Sequence, residues 1–174
     1  MRKVEVIPYD PIWATKFEEE AAKLQRLFED ELVAIHHIGS TSVPGLDAKP
    51  IIDIMPVVRQ IERIDDWVGH MEALGYRSFG EHGIPRRRFF AKGEEVRTFH
   101  VHMFEDGDDG VIRHLAFRDY LVTFPDVRDE YASLKQQLAS QHPDDIESYI
   151  QGKQDWVSAT ERAATIWYGS RKQI

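Results

Sequence analysis

Cysteine is absent from all 174 residues. That removes a disulfide framework, thiolate catalysis and cysteine-ligated zinc or iron–sulfur sites. It suits a reducing compartment, so a cytoplasmic protein is the expectation. No stretch approaches the roughly 20 apolar residues of a membrane span. The opening MRKVEVIPYDP lacks the apolar run and small-residue cleavage site of a signal peptide. No membrane partner is expected. Positive charge is also scarce: 22 Lys and Arg against 30 Asp and Glu leave a formal charge of −8. Such a balance argues against bulk affinity for a nucleic-acid backbone, while leaving room for a local basic pocket. Arg86, Arg87 and Arg88 form the only run of three basic residues. Two catalytic signatures are missing as well. No Gly-Lys-Ser or Gly-Lys-Thr marks a P-loop. No Gly-x-Ser-x-Gly elbow supports a hydrolase triad of Ser40 or Ser42, a histidine and Asp53.

What is present is 42% apolar residues, enough to bury a core without disulfides. The chain reads as a single domain, 1–174, with an α/β core over 1–106 and a helical part over 107–174. No internal repeat or low-complexity linker interrupts it. Lys3 to Ile7 alternate and predict a short strand. Asp10-Pro11 reads as a helix cap followed by proline at the first helical position. Trp13, Phe17, Ala21, Leu24 and Phe28 then recur at helical spacing. Strands are predicted over Leu32 to Ile38 and over Pro50 to Val58. The second is apolar on both faces except for Asp53, which suits a strand with neighbours on both sides. Pro50 and Pro56 are expected to mark its start and its end or a bulge. Ile61 to Leu74 reads as helical, with Gly75 as the stop. Strands follow at Tyr76 to Gly80, Arg88 to Ala91 and Arg97 to Phe104, the last two joined by a hairpin turn at Lys92 to Glu95. Beyond Asp106 the periods become helical, with stripes Val127, Tyr131, Leu134, Leu138 and Ile146, Ile150, Val157, Thr160, Ala164, Trp167. Breaks are expected at Phe124-Pro125 and His142-Pro143. The expected class is α+β, a mixed sheet with flanking helices and a helical C-terminal region.

Five features carry chemistry. Gly39-Ser40-Thr41-Ser42 follows a strand, and its backbone amides and hydroxyls suit phosphate oxygens, although an ordinary capped turn has the same composition. Asp53 is costly to bury unpaired among Ile and Met, so it must meet a cation, a donor or a metal. It is either a structural ion-pair partner of Lys49 or an arginine, or a carboxylate ready for Mg²⁺. Lys49 offers a point charge to a phosphate. His100 and His102 alternate on one strand and therefore share a face, as metal ligands, proton carriers, phosphate donors or simply half-buried histidines. Of His36 and His37, at most one joins them. Arg86, Arg87, Arg88 and Arg97 flank the same region with guanidinium forks suited to an anion or standing as solvated hairpin charge, the latter the better reading for Arg86, and Arg118 and Lys153 on the C-terminal helices are further candidates for reaching the ligand. Tyr131, Trp156 and Trp167 at helical spacing read as core.

These segments together resemble the GrpB family: Tyr9-Asp10-Pro11 with Trp13, then HIGSTSVPGLDAKPIIDI from His37, then Phe99 to His102, then His114 to Leu121, and Tyr149 with Lys153. The resemblance implies a nucleotidyltransferase-like mixed sheet, and a related domain is fused to some bacterial dephospho-coenzyme A kinases. In that superfamily a Gly-Ser turn holds phosphates and strand carboxylates hold Mg²⁺. By this likeness Gly39 and Ser40 match the turn and Asp53 matches a strand carboxylate. The sequence departs from the pattern where a second carboxylate belongs. The positions two away from Asp53 are Ile51 and Met55, and the neighbouring strand offers His100 and His102. The expectation is a protein that binds a nucleotide or other phosphate-bearing small molecule, either with Mg²⁺-dependent transfer or as a non-catalytic module related to coenzyme A. In the catalytic case Asp53, His100 and His102 act, and Gly39, Ser40, Thr41, Ser42, Lys49, Arg88, Arg118 and Lys153 hold the substrate.

Overall fold

A computed structural model describes residues 3–171. In chain order the helices are α1 (Ile12–Phe28), α2 (Val68–Ala73), α3 (Asp109–Thr123), α4 (Pro125–Gln141) and α5 (Ile146–Arg171). The strands are β1 (Leu32–Ile38), β2 (Ile52–Val58), β3 (Tyr76–Ser78), β4 (Arg88–Lys92) and β5 (Phe99–Glu105). They form one mixed sheet in the order β1-β2-β5-β4-β3, with β2 parallel to β5 and the other pairs antiparallel. The α+β class is therefore as the hydrophobic periods indicate.

The chain forms two compact units that interleave in sequence. One, the sheet unit, comprises Ile12–Ile38 and Ile51–Val111. The other, the helical unit, comprises the described parts of Met1–Pro11, Gly39–Pro50 and Ile112–Ile174. The Gly-Ser segment thus belongs with the C-terminal helices.

In the sheet unit α1 lies against β1 and β2. Its stripe of Trp13, Ala21, Leu24 and Phe28 is buried, and Phe17 stacks on His37 with ring centroids 4.7 Å apart. Each large side chain so covered stabilises the fold by about 1.5–3 kcal/mol relative to exposure. Residues 54 to 58 of β2 are all buried, as a strand flanked on both edges and covered on both faces requires. In the helical unit, Val43 and Leu46 from the Gly-Ser segment pack with Leu121 and Tyr131. A second cluster joins Val4, Leu138 and Tyr149.

Four local expectations are corrected. Lys3 to Ile7 is not a strand: Ile7 makes a single bridge to Ala48, and the Val4 N–H donates to Pro143 O, so no ladder forms. Helix α1 starts at Ile12, with Pro11 in the preceding turn. Pro56 lies inside β2 opposite Ile35, and the irregularity sits on β1 between Leu32 and Ala34. On α5 Ile146, Val157, Thr160 and Ala164 pack inward as expected, and one position of the stripe is corrected. Ile150 is exposed and Tyr149 is buried, because Tyr149, Lys153, Trp156, Thr160, Ala164 and Trp167 keep a closer helical period.

Candidate functional site

Register places the three residues read as catalytic. Asp53 on β2 is the Cα partner of His100 on β5 and of Ile38 on β1. His102 follows two residues along β5, on the same face. The Nε2 of His102 stands 2.9 Å from Asp53 Oδ1, and the Nδ1 of His100 stands 3.6 Å from the same oxygen. Each of the three side chains keeps a small exposed fraction, 25% for Asp53, 22% for His100 and 14% for His102, so a small ligand can reach them. Within the sheet unit no lysine or arginine pairs with Asp53. The expected alternative of a structural ion pair with an arginine is therefore not what this unit contains.

Burial alone would raise the Asp53 carboxyl. Hydrogen bonds from His100 and His102 outweigh it and hold the group well below the usual carboxylate range. For His102 burial dominates and pushes the imidazole below its usual value, against the pull of Asp53. An ionised carboxylate beside a neutral imidazole follows. The neutral ring carries its proton on Nε2 toward Asp53 and presents Nδ1 as an acceptor to Arg87 Nη1 at 3.5 Å.

Arg87, one of the flanking arginines, and Phe89, which no sequence pattern singled out, complete the surroundings. Phe89 on β4 is the Cα partner of His102. Its ring centroid lies 5.3 Å from His100 and 5.1 Å from His102, and His82 stacks on it at 4.9 Å. Arg87 is buried. Its Nη2 donates to His82 O at 2.7 Å and its Nε to Glu81 O at 3.2 Å. These bonds hold the connection before β4, where His82 and Arg86 have φ of 48° and 64°, values that side-chain-bearing residues adopt at a cost. The signal for Arg87 was its place in the three-arginine run. Phe89 becomes visible only once the β4–β5 register is known.

The other candidates lie elsewhere. Arg88 sits on the opposite face of β4 from Phe89 and grips Asp65 through Nε at 2.7 Å and Nη2 at 3.0 Å. Arg118 pairs with its neighbour Asp119 at 2.8 Å. His36 shares the Asp53 face but stands opposite Met55, and His37 faces α1. In the helical unit Gly39 has φ 72° and ψ −174°, a conformation essentially reserved for glycine. Ser40–Ser42 form one 3₁₀ turn, closed by Ser42 Oγ donating to Gly39 O at 2.5 Å, and Thr41 is buried. Lys49 and Lys153 converge on one ring: their Nζ atoms lie 5.3 Å and 5.2 Å from the centroid of Tyr149. Tyr149 is fully buried, and its hydroxyl has no hydrogen-bond partner among the described residues. No carboxylate pairs with Lys153 among them either.

A mixed sheet bearing a one-carboxylate, two-imidazole cluster, with a Gly-Ser turn following its first strand, defines the type of protein. Comparison with known sequences supplies the family. The model described as GrpB protein matches residues 3–163, and the chain belongs to the GrpB family. It is 51% identical over 170 residues to UPF0157 protein YqkA of Bacillus subtilis, an alignment covering 98% of this chain and 50% of YqkA. The chain thus spans about half the length of that relative. A crystal structure of conserved protein GrpB from Enterococcus faecalis superposes with a TM-score of 0.91 at 42% identity, covering 94% of this chain and 99% of that one. A more distant match is a dephospho-CoA kinase of Mycolicibacterium paratuberculosis, 26% identical over 96% of this chain and 47% of the kinase.

Proposed function

We propose that this chain binds a nucleotide or another phosphate-bearing small molecule on a nucleotidyltransferase-like scaffold. The observation that carries the reading is the pair of ammonium groups, Lys49 and Lys153, set over the buried Tyr149 ring. An ammonium is a compact point charge that can hold a phosphate oxygen. The same unit holds the Gly39–Ser42 turn, whose glycine conformation lets backbone amides approach a ligand. In this reading Ser40 and Lys49 hold phosphate oxygens and Lys153 adds charge. The relative named dephospho-CoA kinase, of which this chain covers 47%, supports a ligand related to coenzyme A.

Magnesium, expected at Asp53, meets the wrong donors. It demands a near-octahedral shell of oxygens and binds imidazole poorly. The cluster offers one carboxylate and two imidazoles.

The lone carboxylate favours a second reading, a binding module related to coenzyme A without chemistry of its own. Ile51 and Met55 stand where a second acid would lie. Calorimetry with ATP, UTP, coenzyme A and dephospho-coenzyme A, run in chelator, tests the shared claim. A Lys49→Ala/Lys153→Ala variant should lose at least about 10-fold in affinity, or about 1.4 kcal/mol. Unchanged affinity would refute the assignment. Product formation by the wild type separates catalyst from module.

A further inference from the structure

We infer that Asp53, His100 and His102 form a binding site for one nitrogen-preferring divalent metal ion, zinc or a neighbouring transition metal, rather than magnesium. The inference goes beyond the proposed function and stands on residues of the sheet unit alone. Three observations carry it.

The first is geometry. Oδ1 of Asp53 lies 2.9 Å from His102 Nε2 and 3.6 Å from His100 Nδ1, and each of the three residues offers a ligand atom within 4.8 Å of those of the other two. Two ligand atoms each about 2.1 Å from a shared zinc are about 3.0–3.4 Å apart for bond angles between square and tetrahedral. The cluster brackets that separation before any ion enters.

The second is donor chemistry. Imidazole suits zinc, copper, iron and nickel, whereas magnesium wants oxygen. Two histidines and one carboxylate leave positions open for water or a substrate oxygen, the arrangement of reactive rather than structural zinc sites. The third is rigidity. The ligands come from adjacent strands in fixed register, Asp53 opposite His100. The Phe89 ring packs against both imidazoles. Strand-borne ligands backed by an aromatic ring keep their geometry when the site is empty. A metal on Nε2 moves the His102 proton to Nδ1, beside Arg87 at 3.5 Å. A guanidinium is a poorer neighbour there than the carboxylate or carbonyl that usually orients a metal-bound histidine. The affinity should therefore fall short of a closed four-ligand site.

The test uses the full chain stripped with chelator. Zn²⁺ titration should show one site, and Co²⁺ should develop visible d–d absorption at one equivalent. A hundredfold excess of Mg²⁺ should leave that absorption in place. Asp53→Asn and His102→Gln should each weaken Zn²⁺ binding about 100-fold or more, at least the loss that follows removal of outer-shell partners. On the unmutated chain, paramagnetic Co²⁺ should broaden the ring signals of His100 and His102 first among the eight histidines. That readout holds even if a variant fails to fold. Displacement of Co²⁺ by equimolar Mg²⁺, or broadening of other histidines first, would overturn the inference. Nucleotide binding measured in chelator stands apart: if it persists while zinc fails, only the metal site falls.

Discussion

Glu20 and Asp53 are both carboxylates set into the sheet unit, and they meet opposite surroundings. Glu20, 3% exposed, sits on α1. It is gripped by Lys92, by Lys23 at 3.1 Å, and by the Tyr76 hydroxyl donating at 2.9 Å. Burial raises this carboxyl, but those partners outweigh it and leave it below the ordinary range. The same network drives the Tyr76 hydroxyl far upward, through burial first and the Glu20 charge second. Asp53 has two imidazoles and no lysine or arginine within its unit. Glu20 is a closed structural pair. Asp53 is an anion whose partners can turn their lone pairs to a metal.

The contrast makes predictions that either break it or sharpen it. The largest effect is expected at Glu20. Glu20→Gln leaves Lys92 facing a neutral amide and should cost about 2–3 kcal/mol in denaturant unfolding, below the roughly 3–5 kcal/mol of a fully buried broken pair because Lys92 is 21% exposed. Zinc binding should be untouched. Tyr76→Phe removes one donor to a charged acceptor and should cost about 1.5 kcal/mol. Asp53→Asn should change stability by no more than about 1 kcal/mol, since the amide oxygen still accepts from His102. A loss there as large as at Glu20 would make Asp53 structural too. The smallest effect is in acid. Glu20's carboxyl is depressed in the fold, so the folded state binds fewer protons than the unfolded one. Its contribution is full above the ordinary glutamate value of about 4.3 and fades as pH falls below it. The stability gap between wild type and Glu20→Gln should therefore hold at pH 7 and narrow below about 4.3, as urea midpoints across pH will show.

Local patterns made most of this molecule legible. The strand Leu32–Ile38 and the helix breaks at Phe124-Pro125 and His142-Pro143 follow from alternation and proline chemistry. The shared face of His100 and His102 followed from strand period alone. What local pattern does not encode is pairing. That Asp53 lies beside His100, that Phe89 lies beside His102, and that Arg88 faces away toward Asp65 are facts of register between segments far apart in the chain. The Glu20–Lys92 pair, 72 residues apart, was invisible for the same reason. Tyr149 was masked by a neighbouring apolar residue, Ile150, that fits the helical stripe one position out of phase.

The central claim is that Asp53 is the open carboxylate and Glu20 the closed one. Thermal unfolding of wild type, Glu20→Gln and Asp53→Asn with and without saturating Zn²⁺ tests it most directly. Zinc binding only the folded state must raise the midpoint. The account predicts a rise in wild type and in Glu20→Gln, and a much smaller one in Asp53→Asn, whose affinity is about 100-fold weaker. An equal rise in Asp53→Asn would contradict it.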